Sequence, residues 1–300
     1  MTPKARKQFA QHWLRSEEAL NQIVAAAQLQ KCDRPKGSAK SDCPKGSAKG
    51  DCPFGAAQSD RILEIGPGTG ILTRRLLPEV QSVVAVEIDR DLCTLLVKKL
   101  GAVENFLLLQ GDFLTLDLDT QLASFPNFQQ PNKVVANIPY NITGPILEKL
   151  LGTITQPAAE PFDLIVILVQ KEVAERLYAK PGSRAFGALS VRVQYLAECE
   201  LICHVPAKAF SPPPKVDSAV VRLRPRMVEP KATDPKRLES LVKLGFSSKR
   251  KMLRNNLKSV VECDRLTQLL EQLDVNPQAR AEDLSVQQWV ALSNTLAPSS

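Results

Sequence analysis

The chain has 300 residues and a formal net charge of +7, from 39 Lys and Arg against 32 Asp and Glu. That length suits one large domain or two modest ones, and the mild basic bias fits a polyanionic partner without demanding one. No apolar stretch approaches a membrane span, and the basic start Thr2-Pro3-Lys4-Ala5-Arg6-Lys7 lacks the apolar core of a signal peptide. Seven cysteines beside two histidines do not read as a disulfide framework, so the cytoplasm is the expected compartment.

Residues 17–29 have the spacing of an amphipathic helix, with Leu20, Ile23, Val24 and Ala27 on one side and Ser16 as its cap. The composition then changes abruptly. Asp33-Arg34-Pro35-Lys36-Gly37-Ser38-Ala39-Lys40 recurs as Asp42-Cys43-Pro44-Lys45-Gly46-Ser47-Ala48-Lys49, and a decayed third copy starts at Asp51. A period of nine is too short for a helical solenoid, and the repeat has no apolar content for a core. Residues 31–58 are therefore expected to form an exposed, mobile insertion. Cys32, Cys43 and Cys52 belong to the repeat unit, lack close C-x-x-C spacing and have no histidine nearby, so no metal site is expected.

Residues 59–65 read as a strand that ends in Gly66-Pro67-Gly68-Thr69-Gly70, followed by helical spacing from Ile71 to Leu77. A second strand, Ser82 to Val86, ends in Glu87, about 20 residues after the glycine turn, where a carboxylate can accept both hydroxyls of a ribose. The turn departs from G-x-G-x-x-G. Pro67 removes an N–H that a pyrophosphate would use, and Glu64 puts negative charge beside any phosphate. Both features favour a nucleoside cofactor without phosphates, such as S-adenosylmethionine, over a nicotinamide dinucleotide. A third strand, Phe106 to Gln110, ends at Gly111-Asp112-Phe113, where Asp112 can accept from an adenine amino group.

A fourth strand, Lys133 to Ala136, delivers Asn137-Ile138-Pro139-Tyr140. An amide, a rigid proline and a tyrosine at a strand's carboxyl end can hold a planar ring that carries an amine: Asn accepts its hydrogens and Tyr offers a stacking face. Ligands of open α/β sheets bind at these strand ends, so Gly66, Glu87, Asp112 and Asn137 are expected to converge.

Residues 144–151 suit a helix, 162–169 a fifth central strand, and 170–177 and 189–196 further helices. Glu200 to Val205 alternates weakly, whereas Ser218 to Arg224 alternates clearly, as an antiparallel edge strand would. From about residue 229 only helical periodicity appears, over 234–248, 264–273 and 285–296, which predicts a small all-helical second domain. Lys249, Arg250, Lys251, Arg254 and Lys258 cluster there among apolar residues, a pattern that serves phosphate contacts and a solvated helix face equally well.

Together these motifs resemble one family, the small-subunit ribosomal RNA adenine N6,N6-dimethyltransferases. The similarity covers residues 6–30 and 59–296. Its amino-terminal part, Arg6-Lys7-Gln8-Phe9-Ala10-Gln11-His12-Trp13-Leu14, is similar to the family's cofactor-covering segment, with Ala10, His12 and Trp13 where the family commonly has Gly, Asn and Phe. Further along, the match takes in Gln170-Lys171-Glu172-Val173-Ala174, Phe210-Ser211-Pro212-Pro213-Pro214-Lys215-Val216-Asp217-Ser218 and the run from Phe246 to Leu257.

The resemblance implies a class I S-adenosylmethionine-dependent methyltransferase, an α/β Rossmann-like sheet over residues 1–228 with an all-helical domain over 229–300. It implies S-adenosylmethionine bound by His12, Leu14, Gly66, Gly68, Glu87, Asp112 and Asn137. Catalysis falls to Asn137, Pro139, Tyr140 and Phe210, the last facing Tyr140 to clamp a flipped base. RNA contacts fall to Lys249, Arg250, Lys251 and Arg254. The implied substrate is a pair of adjacent adenosines near the 3′ end of small-subunit RNA in an assembling subunit, methylated by a monomer without membrane or DNA partners. The alternatives are a large-subunit RNA adenine methyltransferase, a DNA adenine or glutamine-type amide methyltransferase, and an assembly or transcription factor that kept the fold but lost turnover.

Overall fold

The computed structural model describes residues 11–30 and 59–296. The motif residues 6–10, the repeat 31–58 and its three cysteines lie outside the described residues. A short strand, β1 (Trp13–Leu14), precedes helix α1 (Glu17–Ala26). Ser16 Oγ accepts the Ala19 N–H at 3.3 Å, and Glu17 and Glu18 sit at the positive end of the helix. After the insertion the chain alternates strand and helix: β2 (Arg61–Ile65), α2 (Thr73–Leu76), β3 (Ser82–Glu87), α3 (Arg90–Leu100), β4 (Phe106–Gln110), α4 (Leu118–Leu122), β5 (Lys133–Asn137), α5 (Thr143–Leu151), β6 (Leu164–Gln170) and α6 (Lys171–Tyr178). Then come α7 (Ala188–Leu196), β7 (Ala197–Val205), β8 (Phe210–Ser211) and β9 (Ser218–Pro225).

Seven strands form one sheet in the order β4-β3-β2-β5-β6-β9-β7. β2 to β6 pair in parallel, while β9 runs antiparallel to both β6 and β7. The pleat divides each strand between two cores. Ile62, Val83, Val135, Leu164, Val166 and Leu168 pack under α1 and α3, whereas Leu63, Val84, Val134, Ile165, Ile167 and Val169 pack under α5, α6 and α7. From β2 the chain builds outward through β3 to β4, then returns to place β5 on the other side of β2. The order reverses between β2 and β5, so the crevice beyond their carboxyl ends is the sheet's natural ligand site.

Two details differ from the sequence reading. β9 is not an edge strand: it lies between β6 and β7, with Ser218 through Val221 buried, and the weakly alternating β7 forms the edge. Alternation identified a two-faced strand, but its neighbours are set by long-range pairing. The helix after the glycine turn is also shorter than expected. α2 spans four residues and passes into a 3-10 turn at Leu77–Glu79, where Pro78 cannot supply the N–H that would continue an α-helix.

From residue 229 the described chain is helical: α8 (Pro235–Gly245), α9 (Leu253–Leu257), α10 (Cys263–Gln272) and α11 (Val286–Thr295). α9 was not expected, because five residues carry too little periodicity to read. These helices share a continuous apolar cluster with α7. Phe246 lies 6.5 Å from Phe186 and 5.8 Å from Trp289, ring centre to ring centre. A Cβ on Gly245 would come within 2.4 Å of the Trp289 ring, so the close approach of α8 and α11 requires glycine there.

Candidate active site

The turn after β2 is built by its glycines. Gly66, Gly68 and Gly70 all have positive φ, at 68°, 58° and 76°. The Gly66 N–H bonds the Val86 carbonyl at 2.9 Å, fastening the turn to the end of β3. Gly68 N–H donates to Glu87 Oε2 at 3.1 Å, and Asp89 N–H donates to Glu87 Oε1 at 3.0 Å. Glu87 is buried, and that burial pushes its carboxyl above the ordinary carboxylate range although the two amides pull the other way. At the end of β4, Asp112 Oδ1 accepts the Leu114 N–H at 2.9 Å. Lys149 of α5 holds this loop from behind: its Nζ donates to the carbonyls of Phe113 at 2.6 Å and Leu116 at 2.6 Å and lies 4.9 Å from the centre of the Phe113 ring.

A strap crosses the mouth of the crevice. β1 pairs antiparallel with β8, Trp13 opposite Ser211 and Leu14 opposite Phe210, and Gln11 Nε2 reaches Asp89 Oδ2 at 2.9 Å. The His12 carbonyl accepts from Asn137 Nδ2 at 3.3 Å. This bond sets the orientation of the Asn137 amide, so its oxygen is the atom offered to a ligand. His12 Nδ1 lies 2.8 Å from the Pro212 carbonyl, which can only accept, so Nδ1 carries the proton. The His12 and Tyr140 rings are nearly parallel, 5.9 Å apart with 19° between their planes. Tyr140 Oη bonds Ser218 Oγ at 2.6 Å, which locks the ring from β9, and burial raises the phenol's pKa.

These elements line one open crevice at the carboxyl ends of the strands. His12, Leu14, Gly66, Gly68, Glu87, Asp112, Asn137, Pro139 and Tyr140 all line it. Phe210 does not. Its side chain is buried on the α1 side of the sheet in the cluster with Leu14, Leu20 and Val220, against which Tyr140 also packs. Phe210 thus does not line the pocket opposite Tyr140 as expected, and the ring stacked on Tyr140 is that of His12. The basic cluster stands apart, in and before α9. Lys249, Arg250 and Lys251 are all exposed, and Lys249 Nζ also donates to the carbonyls of Arg184 and Phe186, each at 3.4 Å.

Sequence reasoning passed over Lys149 and Ser218, since each acts through a partner remote in sequence. Glu64 was read only as a charge hostile to phosphate. It is 1% exposed at the pocket wall, with Oε2 lacking a hydrogen-bond partner among the described residues. Burial lifts its pKa to about 8; nearby Thr73 opposes the shift and the Glu87 carboxylate adds to it. Below about pH 8 this carboxyl therefore stands at the pocket wall protonated and uncharged.

The profile of the ribosomal RNA adenine dimethylase family matches residues 2–298. The chain belongs to that family. It is 70% identical to the ribosomal RNA small subunit methyltransferase A of Nostoc punctiforme, across 99% of this chain and 96% of the relative. It is 55% identical to the protein of that name from Synechocystis, across 99% and 98%. Among solved structures, a dimethyladenosine transferase from Plasmodium falciparum superposes with a TM-score of 0.70 at 26% identity, covering 94% of this chain and 96% of that one. The 23S rRNA methyltransferase ErmE superposes with a TM-score of 0.69 at 27% identity, covering 95% and 99%.

The fold is accordingly that of a class I methyltransferase, and the protein is an S-adenosylmethionine-dependent small-subunit ribosomal RNA adenine dimethyltransferase. The donor set fits that cofactor: Glu87 and Asp112 are acceptors at two successive strand ends that line the pocket.

Proposed function

We propose that this enzyme dimethylates two adjacent adenosines near the 3′ end of small-subunit ribosomal RNA within an assembling subunit, acting as a cytoplasmic monomer. The observation that carries the reading is the amide orientation at Asn137: its N–H₂ is engaged by the His12 carbonyl, so Oδ1 is the acceptor offered beside the Tyr140 ring. S-adenosylmethionine, when bound, supplies an electrophilic methyl on a positively charged sulfur.

Asn137 Oδ1 and the carbonyls of the Ile138–Pro139 segment take the hydrogens of the adenine N6 amine. That geometry turns the nitrogen lone pair toward the methyl. Tyr140, held by Ser218, stacks the target base, and the parallel His12 ring bounds the same space. Nitrogen loses its proton to solvent as it becomes cationic, so no strong base is required and placement carries most of the rate. Glu87 binds the ribose hydroxyls and Asp112 the adenine amino group of the cofactor. Residues 1–228 form the catalytic unit. The helical unit from residue 229 adds RNA contacts through Arg250, Lys251 and Arg254, with Lys249 serving chiefly to hold the 184–186 loop.

A large-subunit target is the second reading, favoured by the nearly equal fit to ErmE. Labelled methyl transfer onto unmethylated small subunits, large subunits and naked RNA tests the choice. Two dimethyladenosines in small-subunit RNA are expected; label in large subunits alone would reverse the reading, and none anywhere would make the protein a non-catalytic factor.

A further inference from the structure

We propose that the indole N–H of Trp13 is a hydrogen-bond donor for the carboxylate at the amino-acid end of S-adenosylmethionine, an inference that rests on that molecule being the methyl donor. Trp13 lines the pocket, and its Nε1 is buried with no hydrogen-bond partner among the described residues. A buried indole N–H without an acceptor costs free energy that a ligand oxygen would recover. The edge of the ring is turned to the glycine turn: a Cβ on Gly68 would sit 3.2 Å from Trp13 Cδ1 and 3.4 Å from Nε1.

The charge of the pocket selects the ligand group. Glu64, Glu87 and Asp112 line it, and no Lys or Arg does among the described residues. A ligand carboxylate there meets no basic Lys or Arg side chain among the described residues and has to be held by neutral N–H donors. The turn has few to offer, since Pro67 has none and the N–H groups of Gly66, Gly68 and Gly70 are taken by Val86 O, Glu87 and Pro67 O. Trp13 supplies the missing donor beside the same turn. A phenylalanine at this position would keep the slab and lose the donor.

The test is Trp13→Phe in the full chain, with calorimetric titration of two ligands. S-adenosylhomocysteine retains the amino-acid end; 5′-methylthioadenosine lacks it. The variant should bind S-adenosylhomocysteine about tenfold more weakly and methylthioadenosine within twofold of the parent. Because Trp289 is wholly buried in the helical unit, tryptophan emission should respond to S-adenosylhomocysteine in the parent and not in the variant. Equal weakening of both ligands, or none of S-adenosylhomocysteine, overturns the proposal and leaves the methyl donor unchanged. Failure of the parent to bind S-adenosylhomocysteine at all would remove the methyl-donor reading along with it. Matching melting temperatures for parent and variant separate lost binding from lost folding.

Discussion

At the scale of single residues, the site is a set of side chains whose hydrogen-bonding capacity is divided between the protein and its ligands. Asn137 spends its amino group on the His12 carbonyl, and the proposed role of its oxygen is to accept from the substrate amine. Asn137→Ala should lower single-turnover methyl transfer at least about a hundredfold while leaving RNA affinity within a few-fold, because it removes an acceptor used to orient the reacting nitrogen. Equal loss in binding and rate would assign the Asn137 loop to docking. Glu64 carries a different kind of consequence. Its folded-state pKa, about 8, lies above the ordinary carboxylate value of 4.5, so between those values the native protein holds a proton that the unfolded chain gives up. Its contribution is thus present in acid and is lost as pH rises through about 8, and the buried Glu87 shifts with the same sign. In the cofactor-free protein, Glu64→Gln should match the parent near pH 5 and exceed it by about 2–5 kcal/mol at pH 9. Urea unfolding across that range checks it, and parallel curves for the two proteins would show that Glu64 is ionised without penalty.

At the scale of elements, the end of the sheet opposite the pocket holds α1, β2 and β5 together through one polar knot. Lys133 Nζ bonds Asp60 Oδ2 at 2.8 Å and the Gln28 carbonyl at 2.8 Å, and Asn132 Nδ2 bridges Asp60 Oδ1 at 3.0 Å to Asp163 Oδ2 at 2.8 Å. The Lys133 and Asp60 side chains are 9% and 2% exposed, so removing one partner strands a buried charge. Lys133→Met should destabilise the protein by about 3–5 kcal/mol in denaturant titration, a loss that Asp60→Leu in the same chain should partly restore. The knot also joins the two ends of the insertion, since Gln30 N–H donates to Asp60 Oδ2 at 2.6 Å. Replacing residues 32–57 by a short glycine link should leave melting temperature and methyl transfer close to those of the parent, because the ends already meet far from the strand ends that carry the site. Loss of folding on deletion would show that the repeat supplies part of the core.

At the scale of the whole molecule, the helical unit continues the core beneath α7 and presents its basic residues away from the pocket. Lys249, Arg250 and Lys251 are all exposed, and Lys249 also donates to the carbonyls of the 184–186 loop. Charge reversal of Arg250 and Lys251 should weaken RNA binding and lower the slope of log affinity against log salt by about 1–2, with cofactor affinity unchanged. Lys249→Met should alter that slope less and should instead cost up to about 1 kcal/mol of stability. Binding measured across a salt series distinguishes them, and an unchanged slope in the double reversal would move RNA docking to another face.

The sequence by itself determined the parallel strands, the glycine turn and the carboxyl-end residues Glu87, Asp112 and Asn137, because each of these signals is local. Side-chain period, glycine at positive φ and the position of an acid at a strand's end are written within a few residues of one another. Only the tertiary structure decided what depends on partners remote in the chain. It put β9 inside the sheet, turned Phe210 into the α1 core, set His12 opposite Tyr140 and gave Lys249 to a neighbouring loop. It also left Trp13 Nε1 and Glu64 Oε2 buried without hydrogen-bond partners among the described residues, on two side chains that line the pocket. No local pattern encodes such outcomes, since a strand's neighbours and a side chain's final contacts are settled by which faces bury together and which polar groups find each other across the sheet.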